Sequence, residues 1–112
     1  LTVPDGLETF SSAVWDAFVL RSKVPVVVAF WAEWNVPCRM AAPALADAAR
    51  KLAGRLRVGV VDFDREPALA ERYDVRGLPT VLVFKGGEEC VRRVGLMGRA
   101  ELRRMLDACW SI

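Results

Sequence analysis

The chain contains no histidine. That removes the commonest metal ligand and the commonest general base, so metal-dependent and Ser/His chemistry fit it poorly. Cysteine is scarce as well, with only three residues, Cys38, Cys90 and Cys109. Their odd number and wide spacing match neither a zinc site nor the disulfide framework of a small secreted domain. No metal and no cofactor is expected, and a reducing compartment is the default. No secretory signal opens the chain, but it begins at Leu1 without an initiator methionine, so the expected cytoplasmic location follows from the reducing default and not from the chain's start. Long apolar runs are also missing: the longest, Val24 to Ala32, includes Pro25 and falls far short of the ~20 residues a helix needs to cross a bilayer. No membrane partner is expected. Charge of either sign is nearly balanced, with a formal net charge of +2 at pH 7. Arg92, Arg93, Arg99, Arg103 and Arg104 cluster near the end, but no aromatics interleave them, so they read as a solvated basic face and not as a nucleic-acid surface. No glycine-rich phosphate loop follows a strand-like run; Gly86-Gly87 lies between two such runs and reads as a hairpin turn.

What is present is a globular composition. The 112 residues are 54% hydrophobic and show no linker, repeat or low-complexity segment. A chain of this size buries roughly two thirds of its unfolded surface, which suits one domain over residues 1–112, expected to be a monomer. Asp5 and Glu8 have the spacing of a capping box, and Phe10, Val14, Ala17 and Phe18 then recur at helical spacing up to Leu20. This predicts a first helix, preceded by a short strand at Thr2 and Val3. Val24 to Ala32 is apolar on both faces, as in a central strand covered on each side. The alanine- and leucine-rich stretch from Asn35 to Ala53 predicts a second helix, stopped at Gly54, with an Asp47/Lys51 pair on its surface and Pro43 kinking it. Leu56 to Phe63 predicts a strand, Asp64 the cap of a short helix to Tyr73, and Thr80 to Phe84 with Glu89 to Val94 a hairpin. Leu102, Met105, Leu106 and Cys109 mark the inner stripe of a last helix. The order implies an α/β domain in three layers, with a mixed sheet of four to five strands and about four helices.

Several motifs sharpen this. Trp31-Ala32-Glu33-Trp34 before Pro37-Cys38, Pro43 inside the helix, Val75 to Thr80 around Gly77-Leu78-Pro79, the Gly86-Gly87 hairpin and Gly95 after the last strand resemble the thioredoxin family over nearly the whole chain. The resemblance implies a cis peptide bond before Pro79, facing the active-site turn. It also implies disulfide reduction by a Cys-x-x-Cys pair, in which the first thiolate attacks a substrate disulfide and the second resolves the mixed disulfide. Here Asn35 stands at the position of the missing nucleophile, and Cys38 is the remaining thiol. The relay positions depart too: Ala29 replaces a buried aspartate and Val60 its lysine partner, while Val36 replaces the glycine of the turn.

Asparagine is a good N-cap, whereas its amide is neither a nucleophile nor a useful base, so Asn35 reads as a cap. For Cys38 two readings stay open, a small buried packing residue and a slow monothiol. The helix N-terminus would lower its pKa, and burial under Trp34 and Pro79 would raise it. Cys90 and Cys109, unsuited to resolving a mixed disulfide at the turn, read as structural, as do Trp15 and Trp110. Trp34, Val36, Pro37, Gly77, Leu78, Pro79, Gly95 and Leu96 are implied by the resemblance to border a groove for an extended peptide or protein segment. Three functions are compatible with these residues: a redox-impaired binding module, a disulfide reductase whose first cysteine was replaced and which would draw on a thiol reductase, and monothiol exchange through Cys38.

Overall fold

The strand that is apolar on both faces lies in the middle of the sheet. In the computed structural model, which describes residue 3 and residues 6–109, the strands are β1 (Glu8–Thr9), β2 (Val26–Trp31), β3 (Arg57–Asp62), β4 (Thr80–Lys85) and β5 (Glu88–Val94). Their order across the sheet is β1-β3-β2-β4-β5. β3 runs parallel to both β1 and β2, whereas β4 is antiparallel to β2 and to β5. The helices are α1 (Val36–Lys51), α2 (Pro67–Arg72) and α3 (Arg99–Cys109), with a short π-helical segment at Asp16–Leu20. The mixed α/β sheet is therefore as expected.

Every residue of β2 is buried. Val27, Ala29 and Trp31 pack in one cluster with Leu45 and Ala48 of α1 and Leu102 and Leu106 of α3. Val26, Val28 and Phe30 point the other way, into a cluster with Trp15, Val19, Leu69 and Ala70. Two cores on opposite faces of one sheet make the three layers, and they explain why β2 shows no polar alternation. Burying each of these valines and phenylalanines favours folding by about 1.5–3 kcal/mol before entropy is subtracted. Trp15 is a core residue as expected, donating its indole N–H to the Tyr73 hydroxyl at 3.0 Å.

Residues 8–20 differ from the helix that the periodicity predicts. Glu8 and Thr9 pair with β3, and Phe10 N–H donates to the Val60 carbonyl, so this stretch is strand and not the start of a helix. The helical segment begins only at Asp16 and is wound with an Arg21-to-Asp16 bond of π type. That winding turns Trp15 and Val19 inward and leaves Phe18 exposed beneath the Arg57 guanidinium, 4.5 Å from its ring centre. Val3 is not in a strand, and Thr2, Asp5 and Trp110 lie outside the described residues. A second correction concerns α2. Asp64 does not cap it; Glu66 is its N-cap, without a side-chain bond. The turn before it is held by the Asp62 carboxylate, which accepts from the backbone N–H groups of Asp64 and Arg65.

α1 runs through Pro43, which is exposed, so the Arg39 carbonyl that loses its partner faces the solvent side. Asp47 accepts from Lys51 as expected and also from Arg50 and from Arg99 of α3, tying the two helices together. The hydrogen bond from Lys51, helped by the nearby Arg50 and Arg99, holds its carboxyl below the ordinary range. In the hairpin, Gly86 and Gly87 both have positive φ, as a tight two-residue turn requires. Cys90 and Cys109, read from the sequence as structural, are joined by a disulfide from β5 to the end of α3, a pairing that their spacing did not announce. They stand 19 positions apart in the chain and meet where α3 packs along β5.

Gly59 of β3 tests how tightly β1 is seated. A Cβ there would lie 2.5 and 2.7 Å from ring atoms of Phe10 and 2.8 Å from the Glu8 carbonyl oxygen. Gly59→Ala should therefore lower stability by about 1–3 kcal/mol. Urea denaturation followed by fluorescence measures this, and an unchanged midpoint would show that β1 does not pack in this way.

Candidate functional site

Strand register gathers the site. Phe30 pairs with Thr80, and Thr80 pairs with Val94. The chain therefore leaves β2, enters β4 and leaves β5 at one end of the sheet. Residues 32–37, 77–79 and 94–96 meet there. Gly95 N–H donates to the Pro79 carbonyl at 2.8 Å, and a Cβ on Gly77 would come within 2.8 Å of the Val94 side chain. The Leu78–Pro79 bond is cis, as expected. Thr80, fully buried, donates its hydroxyl to the Gly77 carbonyl at 2.6 Å and braces that loop.

The turn between β2 and α1 is built around Asn35. Its N–H donates to the Ala32 carbonyl, and its backbone is extended, as an N-cap requires. Its side-chain oxygen accepts from the Cys38 N–H at 2.9 Å. Pro37 follows in the first turn of the helix, where a missing N–H breaks no helical bond. The cap reading of Asn35 thus describes its geometry.

Cys38 is the one free cysteine and is completely inaccessible to solvent. It belongs to the cluster that holds Ala29, Trp31, Ala41 and Val60. Burial pushes its thiol above the ordinary range, and the hydrogen bond with the Ala32 backbone offsets only part of this. The cover does not come from Trp34, contrary to expectation. Trp34 is 63% exposed and donates its indole N–H to Asp64 at 2.8 Å, which ties the turn to the loop after β3. Ala29 and Val60 are direct register partners, both fully buried. An ionised group at one of these positions would need its partner at the other, because breaking a buried pair costs about 3–5 kcal/mol. Two apolar residues there are a consistent solution.

Around this buried thiol the surface carries several exposed apolar side chains. Val36 is 53% and Leu96 51% exposed, while Gly77, Leu78 and Gly95 are half-buried and Pro79 is buried. Two exposed apolar residues of the same neighbourhood escaped the sequence reading, Met40 and Val94. Met40 follows Val36 by one helical turn and so shares its face, a spacing visible in the sequence once the helix start is known. Val94 gave no such signal, since an outward valine in an edge strand looks like any other.

This arrangement, a cis-proline loop facing a capped helix N-terminus at the end of a mixed sheet, defines a class of disulfide-handling proteins. The thioredoxin family model matches residues 6–108, and the chain belongs to the thioredoxin family of disulfide oxidoreductases. Among its relatives, a thioredoxin of Acidithiobacillus ferridurans is 40% identical over 104 residues, covering 93% of this chain and 96% of that protein. Thioredoxin 1 of a Nostoc strain is 40% identical over 89 residues, covering 80% and 83%. A chloroplastic M-type thioredoxin of Zea mays is 40% identical over 93 residues, and the match covers 83% of this chain but only 56% of the maize protein. No helix among the described residues is long and apolar enough to cross a membrane.

The geometry sets two expected outcomes. Asn35→Ala leaves the Cys38 N–H without its acceptor and should cost about 1 kcal/mol, read from the urea midpoint. For Cys38 the folded state keeps its proton at pH values where the unfolded state loses it, so the contribution to stability is complete below about pH 8.5 and falls as pH rises further. Native Cys38 should accordingly resist iodoacetamide at neutral pH and react at the ordinary rate only in denaturant. Fast labelling of the native protein at pH 7 would contradict the burial.

Proposed function

We propose that this chain is a redox-impaired thioredoxin-like module that holds an extended peptide or protein segment across the surface beside the turn. The observation that carries the reading is a contrast within one site. The only free thiol is buried and pushed up, while Trp34, Val36 and Leu96 remain open to a partner next to the cis-proline loop. A partly exposed tryptophan is the kind of anchor that dominates binding energy in such contacts. The half-buried Pro37, Gly77, Leu78 and Gly95 offer close backbone approach, as an added strand-like segment needs.

Slow monothiol exchange through Cys38 is disfavoured by the same burial. The reading in which a reductase has lost its first cysteine keeps one support: residue 35 caps the helix within bonding distance of Cys38, where a thiolate would gain from the helix N-terminus. Asn35→Cys tests it directly. Turbidity-based reduction of insulin with dithiothreitol as electron source should show no catalysis by the chain as it stands. Activity gained by Asn35→Cys alone would mean the scaffold retains a reductase site lacking one sulfur, and no gain would leave the binding reading.

The binding reading is tested with reduced, alkylated insulin B chain, an unfolded disulfide-free polypeptide. Its addition should shift amide resonances in residues 34–36, 77–79 and 94–96. Trp34→Ala should weaken the interaction about tenfold or more, in line with loss of a hot-spot aromatic, with little change in melting. Equal binding by Trp34→Ala, or shifts elsewhere only, would refute the groove.

A further inference from the structure

Cys90 has no partner on β4. Val83 pairs with Val91 and Phe84 with Glu89, so Cys90 is the extra residue of a bulge in β5, which is an edge strand. In a regular strand neighbouring side chains point to opposite faces. Here Val91 packs against the core beneath α1 and α3, and Cys90 beside it also reaches α3, where its sulfur joins that of Cys109. The bulge is what lets two successive side chains serve the same face. Without it, one of them would point away.

The two sulfurs are unequal. Cys90 is exposed, whereas Cys109 is buried in the inner stripe of α3 with Leu102, Met105 and Leu106. Lys85 donates its ammonium to the Cys109 carbonyl at 3.2 Å, which ties the end of α3 to β4. Packing and this bond fix Cys109 at the end of α3.

We propose that Cys90–Cys109 is an exchangeable two-electron redox site, distinct from the turn at Asn35 and Cys38, and that it takes its electrons from an external dithiol. A thiolate of the dithiol attacks Cys90 Sγ, the disulfide bond breaks, and Cys109 leaves as a thiolate that takes up a proton. The second thiolate of the dithiol then attacks its own sulfur in the mixed disulfide and releases Cys90. Two electrons and two protons pass to the pair, and the dithiol becomes a disulfide. The reverse sequence oxidises the pair again.

The test uses the native chain, reduced without denaturant by dithiothreitol in one arm and by a reduced two-cysteine thioredoxin in the other. After acid quenching, thiols are alkylated with iodoacetamide in denaturant and mapped by mass spectrometry. Before reduction only Cys38 should be labelled; afterwards all three cysteines should be, with an unchanged far-ultraviolet circular dichroism spectrum. Oxidised dithiothreitol should restore the first pattern. Reduction in both arms marks a protein dithiol as a competent donor, and reduction in the first arm alone restricts the donor to a small molecule. Failure of both arms unless denaturant is added overturns the proposal, as do three free thiols that oxidised dithiothreitol leaves unchanged. Cys109→Ser provides an independent reading: its native form should react with 5,5′-dithiobis(2-nitrobenzoate) at Cys90 and not at Cys38. The reverse selectivity would overturn the assignment even if that variant is less stable.

Discussion

β2 is the constraint on which the rest depends. It is buried on both faces, bonded on both edges, and its register with β3 and β4 decides which loops share an end of the sheet. A slip of one residue would exchange its two faces, sending Val27, Ala29 and Trp31 into the cluster that now holds Val26, Val28 and Phe30. The dense packing on both sides resists that slip. Because Phe30 is locked opposite Thr80, the turn before α1 and the cis-proline loop before β4 are placed together at one end of the sheet.

At the turn, the frame holds a single cysteine, Cys38, behind the cap residue Asn35. A two-thiol turn benefits from a reachable first sulfur and a charged group buried nearby to move a proton. Here a neutral amide caps the helix, the inner thiol is sealed, and the register pair beneath it is alanine and valine. These features support one another: with no charge to stabilise near Cys38, an apolar environment carries no penalty, and the same environment keeps the thiol protonated. Trp34, Val36 and Leu96 stay exposed on the surface around it.

The opposite edge of the sheet is organised differently. A bulge, a buried helix terminus and a lysine at the helix end converge on a pair of sulfurs that are far apart in the chain. The edge strand can carry such an irregularity because only one of its sides is paired, whereas β2 could not do so without disturbing two neighbours.

Much of this was legible from local pattern. The unbroken apolar run of β2, the cap residue Asn35, the glycine pair of the hairpin, the Asp47/Lys51 spacing and the stripe of α3 each announce themselves within a few residues, since they reflect backbone preference and periodicity. The family motifs located the turn and the cis proline. Tertiary structure alone decided the remainder. Glu8 and Thr9 became strand because β3 offered them an edge, overriding a helical spacing. Trp34 was turned outward by its bond to Asp64, which left the burial of Cys38 to the core. Cys90 met Cys109 because a bulge redirected one side chain, and no spacing rule encodes that. Periodicity reports which face of an element is apolar, but the partner on that face, and therefore the exposure and bonding of each sulfur, exists only once distant segments have packed.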